Sequence, residues 1–123
     1  MEVQSKMTVV LGASPNPARY SFKAVKSLLR HGHTTIAVGF RPGVIHEIFI
    51  QRGMPEIEGA HTIALYIGVE RQEEFHDYIL SLHPSRIIFN PGTINEPFMK
   101  ELQDLGIEVV EGCTLVMLDS GEF

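Results

Sequence analysis

The chain has 123 residues, 44% of them hydrophobic and 20% charged, with a formal net charge of −5. That length makes about one domain with enough interior for a real core, and the composition is that of a globular chain rather than a disordered tail. Ten Lys plus Arg against fifteen Asp plus Glu argues against a nucleic-acid groove, one cysteine rules out an internal disulfide, and no apolar run approaches the ~20 residues that span a bilayer.

The opening residues Met1-Glu2-Val3-Gln4-Ser5-Lys6 lack the apolar stretch of a signal peptide, so a cytoplasmic protein is expected. Residues 7–11 form a nearly continuous apolar run, the pattern of a strand buried on both faces. A turn-rich stretch follows, Gly12-Ala13-Ser14-Pro15-Asn16-Pro17, and then a helical pattern over about residues 18–31. Phe22, Val25, Leu28 and Leu29 fall on one stripe of it, and Arg19, Lys23, Lys26 and Arg30 on another. Gly32 stops the helix. Residues 34–38 predict a second strand, whereas residues 44–50 suit a strand or a helical turn equally. Strands follow at 62–67, 86–89 and 107–110. Phe75, Ile79 and Leu82 have helical spacing, and Asn95 caps a helix whose inward stripe is Phe98, Leu102 and Leu105. About five strands alternating with three helices predict one α/β Rossmann-like domain, a parallel sheet with helices on both faces. Ligands bind such sheets at the carboxyl ends of the strands, near a topological switch point.

That rule directs attention to four loops. In the first, Gly12 permits a tight turn and close backbone approach, and the N–H groups at the helix start favour an anion. Ala13, Ser14, Pro15 and Asn16 complete the loop, with Arg19 and Lys23 as nearby cations. The full Gly-x-Gly-x-x-Gly pattern is absent, so a plain βα turn is the competing reading. The second loop reads Gly39-Phe40-Arg41-Pro42-Gly43. Where an NAD site carries an acid, this loop carries Arg41, which suits a ligand with a phosphate on its ribose, such as CoA or NADP. Gly39 and Arg41 are the candidate contacts there. In the third, Tyr66 faces either an adenine or the core. In the fourth, Gly92 belongs to a second glycine turn, Asn95 reads as a cap, and Glu96 offsets the helix dipole or serves as a base. The six histidines show no metal-binding spacing. Ser14 lies outside any nucleophile elbow, and Cys113 lacks an identifiable base.

Together these residues resemble the small CoA-binding protein family, whose fold is shared with the CoA-binding domain of succinyl-CoA synthetase. The segment from Val10 through Ser14-Pro15-Asn16-Pro17-Ala18-Arg19 to Ser21 looks very like that family's opening motif. Gly92, Asn95 and Glu96 match its late Gly-x-x-Asn-Glu motif, and Gly106 and Cys113 fall where it expects glycine and cysteine. The resemblance runs from about Met7 to Cys113. It implies a Rossmann-like domain binding CoA or acyl-CoA, with Gly12, Ala13, Ser14 and Asn16 as phosphate loop, Arg19 beside it and Arg41 at the post-strand-two contacts. The chain departs from the family at two places. Val38-Gly39-Phe40-Arg41-Pro42 stands where members carry Val-Asn-Pro, and Glu111-Gly112-Cys113 where they carry Asp-Arg-Cys.

The leading expectation is a non-catalytic module binding CoA, acyl-CoA or a similar phosphorylated nucleotide. NADP is the lesser cofactor alternative. An NADP- or acyl-CoA-dependent enzyme would draw on Glu96, Tyr66 or Cys113. A third reading keeps the fold for a regulatory or structural role without the ligand. A small nucleotide is the expected partner, with no nucleic acid and no membrane; a homodimer or a protein partner stays open.

Overall fold

A computed structural model describes residues 5–123, so most of the N-terminal stretch read as lacking a signal peptide lies outside the described residues. The chain runs β1 (Thr8–Leu11), α1 (Tyr20–Arg30), β2 (Thr35–Val38), β3 (Val44–Ile45), β4 (Ile48–Gln51), β5 (Thr62–Leu65) and α2 (Val69–Gln72). A 3-10 turn at Glu73–Phe75 then leads to α3 (His76–Ser81), β6 (Arg86–Phe89), α4 (Glu96–Asp104), β7 (Glu108–Glu111) and α5 (Thr114–Ser120).

The strands form one sheet in the order β3-β4-β2-β1-β5-β6-β7. Every pairing is parallel except β3 with β4. The chain leaves β1 towards β2 and β4, then returns to β5 on the other side of β1. That reversal puts the switch point between β1 and β5, at the end of the first loop.

Alternation along the strands builds two cores. Val10, Ala37, Ala64 and Ile88 face α1 and α5, packing on Val25, Leu28, Met117 and Leu118. Val9, Leu11, Ile63, Leu65, Ile87 and Phe89 face the other way, onto Phe75, Ile79, Phe98 and Leu102. The two alanines on the α1 face let that helix lie close to the sheet.

Two features depart from the sequence reading. The ambiguous stretch 44–50 is neither one strand nor a helix but a hairpin, whose turn residues His46 and Glu47 have φ of 46° and 72°. Its first strand runs antiparallel at the edge, so the seven-stranded sheet is not purely parallel. The five strands expected are β1, β2, β5, β6 and β7. The C-terminal helix α5 is the second addition. Its apolar side is little more than Met117 and Leu118, too short to show a period. Among the described residues, no helix is long and apolar enough to cross a membrane.

Candidate functional site

At the carboxyl edge of the sheet, backbone meets backbone around two glycines. Gly12 adopts φ +98°, and a Cβ there would stand 2.8 Å from the carbonyl carbon and oxygen of Tyr66. A Cβ on Gly39 would overlap the carbonyl oxygen of Ala13. The N–H groups of Gly12 and Ala13 both donate to the Val38 carbonyl, at 2.8 and 2.9 Å. The loops after β1, β2 and β5 are thereby locked together with no side chain between them.

This close approach changes the roles expected of the first loop. Gly12 and Ala13 line the cleft, yet their N–H groups are already taken by Val38. The N–H of Asn16 donates to Ser14 Oγ at 3.1 Å, and that of Ala18 to Asn16 Oδ1 at 3.0 Å. Pro15 and Pro17 have none. Among the described residues, the N–H groups without a partner are that of Ser14 and those of the first turn of α1, at Tyr20, Ser21 and Phe22. An α-helix cannot pair its own first-turn groups, and the Arg19 side chain does not cap them. The N–H groups of Gly12 and Ala13 are committed to the fold, whereas those of Ser14 and of the first turn of α1 are not.

A cleft of about 920 Å³ opens over this helix start. The first loop, Arg19, Tyr20 and Ser21 form one wall, and Phe40 and Arg41 come from the second loop. The far wall is Tyr66, Asn90, Cys113, Leu115 and Val116. Arg19 and Arg41 are exposed, and among the described residues neither takes part in an ion pair. Among the described residues no acid lines this cleft, so its lining is locally positive despite the net charge of −5. Lys23, read as a nearby cation, holds its ammonium 5.2 Å over the ring of Tyr20 at the rim.

The floor is a hydrogen-bonded tie. Asn90, 1% exposed, accepts from the N–H and the hydroxyl of Thr114 at 2.9 and 3.0 Å, and donates to the Leu65 carbonyl at 3.1 Å. It joins β5, β6 and the start of α5. Beside it, the Tyr66 hydroxyl is buried without a hydrogen-bond partner among the described residues. Burial pushes this phenol up to about 12, so it stays neutral. The ring lines the cleft and also packs on the α1-side core. Cys113 is half-buried in the same wall.

Two other sequence candidates stand apart. Gly92 turns the chain after β6 at φ +91° and lines neither cleft. Glu96 is exposed at the first position of α4 and also lines neither. Asn95 does cap that helix, its Oδ1 accepting from the Phe98 N–H at 3.4 Å. Its amide also donates to Gln72 Oε1 at 3.1 Å, and Gln72 in turn donates to the carbonyls of Ile67 and Thr93 at 2.8 and 2.7 Å. Gln72, 1% exposed, thus ties the third loop to the fourth. Neither Gln72 nor Asn90 was foreseen. A polar residue on the inward side of a helix signals the first, whereas the second gives no local signal.

A smaller cleft of about 280 Å³ adjoins the large one and shares Gly12 and Phe40 with it. Gly39 belongs here, with Arg52, Met54, Arg71 and Phe75. Among the described residues, no group of three or more His, Cys, Asp or Glu could hold a metal ion.

Comparison with known proteins bears on the fold and the family. A crystal structure of an uncharacterized protein superposes with a TM-score of 0.95 at 46% identity, covering 98% of this chain and all of that one. A Thermus thermophilus protein is similar at TM-score 0.84 and 20% identity, over 97% of this chain and 91% of its own. A hypothetical protein from Pyrococcus horikoshii OT3 gives 0.77 and 19%, over 94% and 82%. At those lower identities the likeness shows the fold alone. No curated protein matches the chain. The family described as CoA binding domain matches residues 6–119, nearly the whole length. The chain is a member of the CoA binding domain family.

Proposed function

We propose that the larger cleft binds CoA or an acyl-CoA by recognition alone. The observation that carries this reading is the pairing of an open α1 start with Arg19 and Arg41 in a cleft that no acid lines. Phosphates favour such a place, because the unpaired N–H groups and the helix dipole act in the same direction as the arginine charge. In this reading the diphosphate lies at the first turn of α1 beside Arg19. Arg41 takes the phosphate on the ribose, which sets CoA apart from NAD. The apolar far wall of Tyr66, Leu115 and Val116 takes the pantetheine arm and any acyl chain. The volume of about 920 Å³ suits a ligand of that length. Family membership supports the ligand class.

A ligand that binds only the folded chain must raise its melting temperature. At a hundredfold excess over Kd the stabilisation is about 2.7 kcal/mol. Saturating CoA is therefore expected to shift the melting curve upward by several degrees, and the shift is expected to shrink in Arg19→Ala and in Arg41→Ala. An unchanged melting temperature in saturating CoA would overturn the reading.

A further inference from the structure

The corner of the sheet formed by β3 and β4 has a bare side. Ile45 and Ile50 point into the core beneath α1 and α5, so alternation turns Val44 and Phe49 to the opposite side. These two residues stand directly across from each other in the hairpin. Elsewhere on that side the sheet is covered by Phe75, Ile79, Phe98 and Leu102, but the chain passes from β4 to β5 without a helix. Phe49 is consequently 73% exposed and Val44 49%. Phe40, which carries the Arg71 guanidinium 3.9 Å from its ring centroid, and Met54 are exposed as well. Four of the eight large hydrophobic residues exposed among the described residues therefore fall within residues 40–54, which is a patch and not scattered surface.

The edge of the same corner is open. The two-residue turn at His46 and Glu47 makes Ile45 and Ile48 a hydrogen-bonded pair, and the Ile50 N–H donates to the Gly43 carbonyl at 2.9 Å. By the alternation of antiparallel ladders, Val44 between them turns its own N–H and C=O away from β4. The opposite edge of the sheet is built differently. There β7 sets Val109 and Val110 between the exposed Glu108 and Glu111, charges that discourage another strand from pairing. β3 carries no charge. Glu47 is the only acid between residues 3 and 55, so two chains of net charge −5 meet at this corner with little repulsion.

We propose that this corner is the interface of a homodimer, in which β3 of each copy pairs antiparallel with β3 of the other across a two-fold axis at Val44. The occupant is a second copy because the edge is self-complementary: after a half-turn the N–H and C=O of Val44 face the same two groups again. The pairing continues one sheet through both copies and sets Val44 and Phe49 of each in a single row on the bare side. The four exposed residues of the patch offer about 400 Å² of apolar surface per copy, close to the apolar share of the ~800 Å² that a standard interface buries on each partner. Nothing in this pairing depends on the ligand of the larger cleft.

Sedimentation equilibrium of the full chain from about 1 to 100 μM is expected to show a dimer, since standard-size interfaces assemble at micromolar concentration or below. Phe49→Ala is expected to weaken the dimer by about thirtyfold or more, the effect of losing a hot-spot ring. Val44→Lys puts a charge on the open edge and is expected to leave a monomer. Both side chains are exposed in the single chain, so circular dichroism and the melting of dilute protein are expected to stay the same in both variants. A cross-link tests the register. In a Cys113→Ser background, Val44→Cys is expected to join two copies on mild air oxidation, because bonded antiparallel pairs hold their Cα atoms ~5.5 Å apart, within reach of a disulfide. Leu105→Cys, also exposed but away from this corner, is expected to stay unlinked. A monomer at every concentration would overturn the proposal. So would a dimer that survives both Val44→Lys and Phe49→Ala, or one that cross-links through Leu105→Cys and not through Val44→Cys.

Discussion

The two edges of the sheet treat their arginines in opposite ways. At the amino edge Arg86 is 4% exposed. Its Nε donates to Thr62 Oγ1 at 3.0 Å, its Nη1 donates to the Phe123 main-chain oxygen at 2.7 Å, and its guanidinium lies 4.4 Å from the Phe123 ring centroid. Lys6 Nζ donates to the same oxygen at 2.6 Å, and the His33 ring lies tilted against the same ring, with centroids 4.8 Å apart. At the carboxyl edge Arg19 and Arg41 are exposed and, among the described residues, outside any ion pair. A desolvated cation must have partners in the fold, because leaving it without them is costly. An exposed cation beside a cleft adds almost nothing to folding and keeps its charge for a ligand. If the carboxyl-edge arginines bind the ligand as proposed, substitutions at the two ends of the same strands should separate stability from affinity.

The largest effect is expected where the carboxyl edge depends on backbone contact. Gly39→Ala drives a methyl into the Ala13 carbonyl oxygen, so it should cost about 3 kcal/mol or more in urea unfolding and abolish CoA binding with it. Here, as at Gly12, the scaffold and the cleft are expected to fail together. Arg86→Met should come next. It removes two charge-assisted hydrogen bonds and a ring contact, and should cost about 2–4 kcal/mol of stability while CoA affinity, measured at low temperature, stays the same. A loss of affinity in this variant would break the separation of the two edges.

Arg19→Ala and Arg41→Ala should show the converse. Their unfolding free energies should lie within about 0.5 kcal/mol of the parent. CoA affinity should fall by about 1.5–3 kcal/mol in each, roughly ten- to a hundredfold by calorimetry.

The smallest effects are in pH dependence, and they have opposite signs. Burial, then Lys6, lowers His33 below its ordinary value of 6.5, and burial, then Arg86, lowers His61. Below 6.5 the unfolded chain binds protons that the folded one refuses, so this contribution is present above 6.5 and is lost as pH falls through the folded values. His76 runs the other way. Its Nδ1 meets Asp77 Oδ1 at 3.0 Å and its Nε2 meets Glu101 at 2.9 Å, and these hydrogen bonds raise it. Its contribution is present below 6.5 and fades as pH rises through the raised value. The groups are exposed, so it is worth at most about 1 kcal/mol. His76→Gln should remove that alkaline-side loss from unfolding curves measured across the neutral range, and His33→Gln should flatten the acid side.

Much of the fold could be read from continuous apolar runs. The five strands at 7–11, 34–38, 62–67, 86–89 and 107–110 correspond to β1, β2, β5, β6 and β7; the inner four are mostly apolar because both their faces are buried, and the edge strand β7 shows its Val109-Val110 core between exposed glutamates. The hairpin could not be read, since its turn uses positive φ at His46 and Glu47 in place of the Asn-Gly or Asp-Gly that signals such a turn. That Gly12, Ser14, Arg19 and Arg41 come together at the larger cleft was legible, because loop position after a buried strand is itself a signal. The partnership of Phe40 with Arg71 was not, since Phe40 lies in the second loop and Arg71 in α2, far apart in sequence, and close backbone approach at Gly12 and Gly39 brings these segments together. The Arg86 and Phe123 clasp is hidden for the same reason, its partners being 37 residues apart.

The most direct measurement is calorimetry of the unmutated protein with CoA and, alongside, with dephospho-CoA. The account expects CoA to bind in the micromolar range and dephospho-CoA to bind about tenfold or more weakly, because the phosphate facing Arg41 is gone. Equal affinity for the two would contradict the role of Arg41, and no heat with either would contradict the cleft as a CoA site.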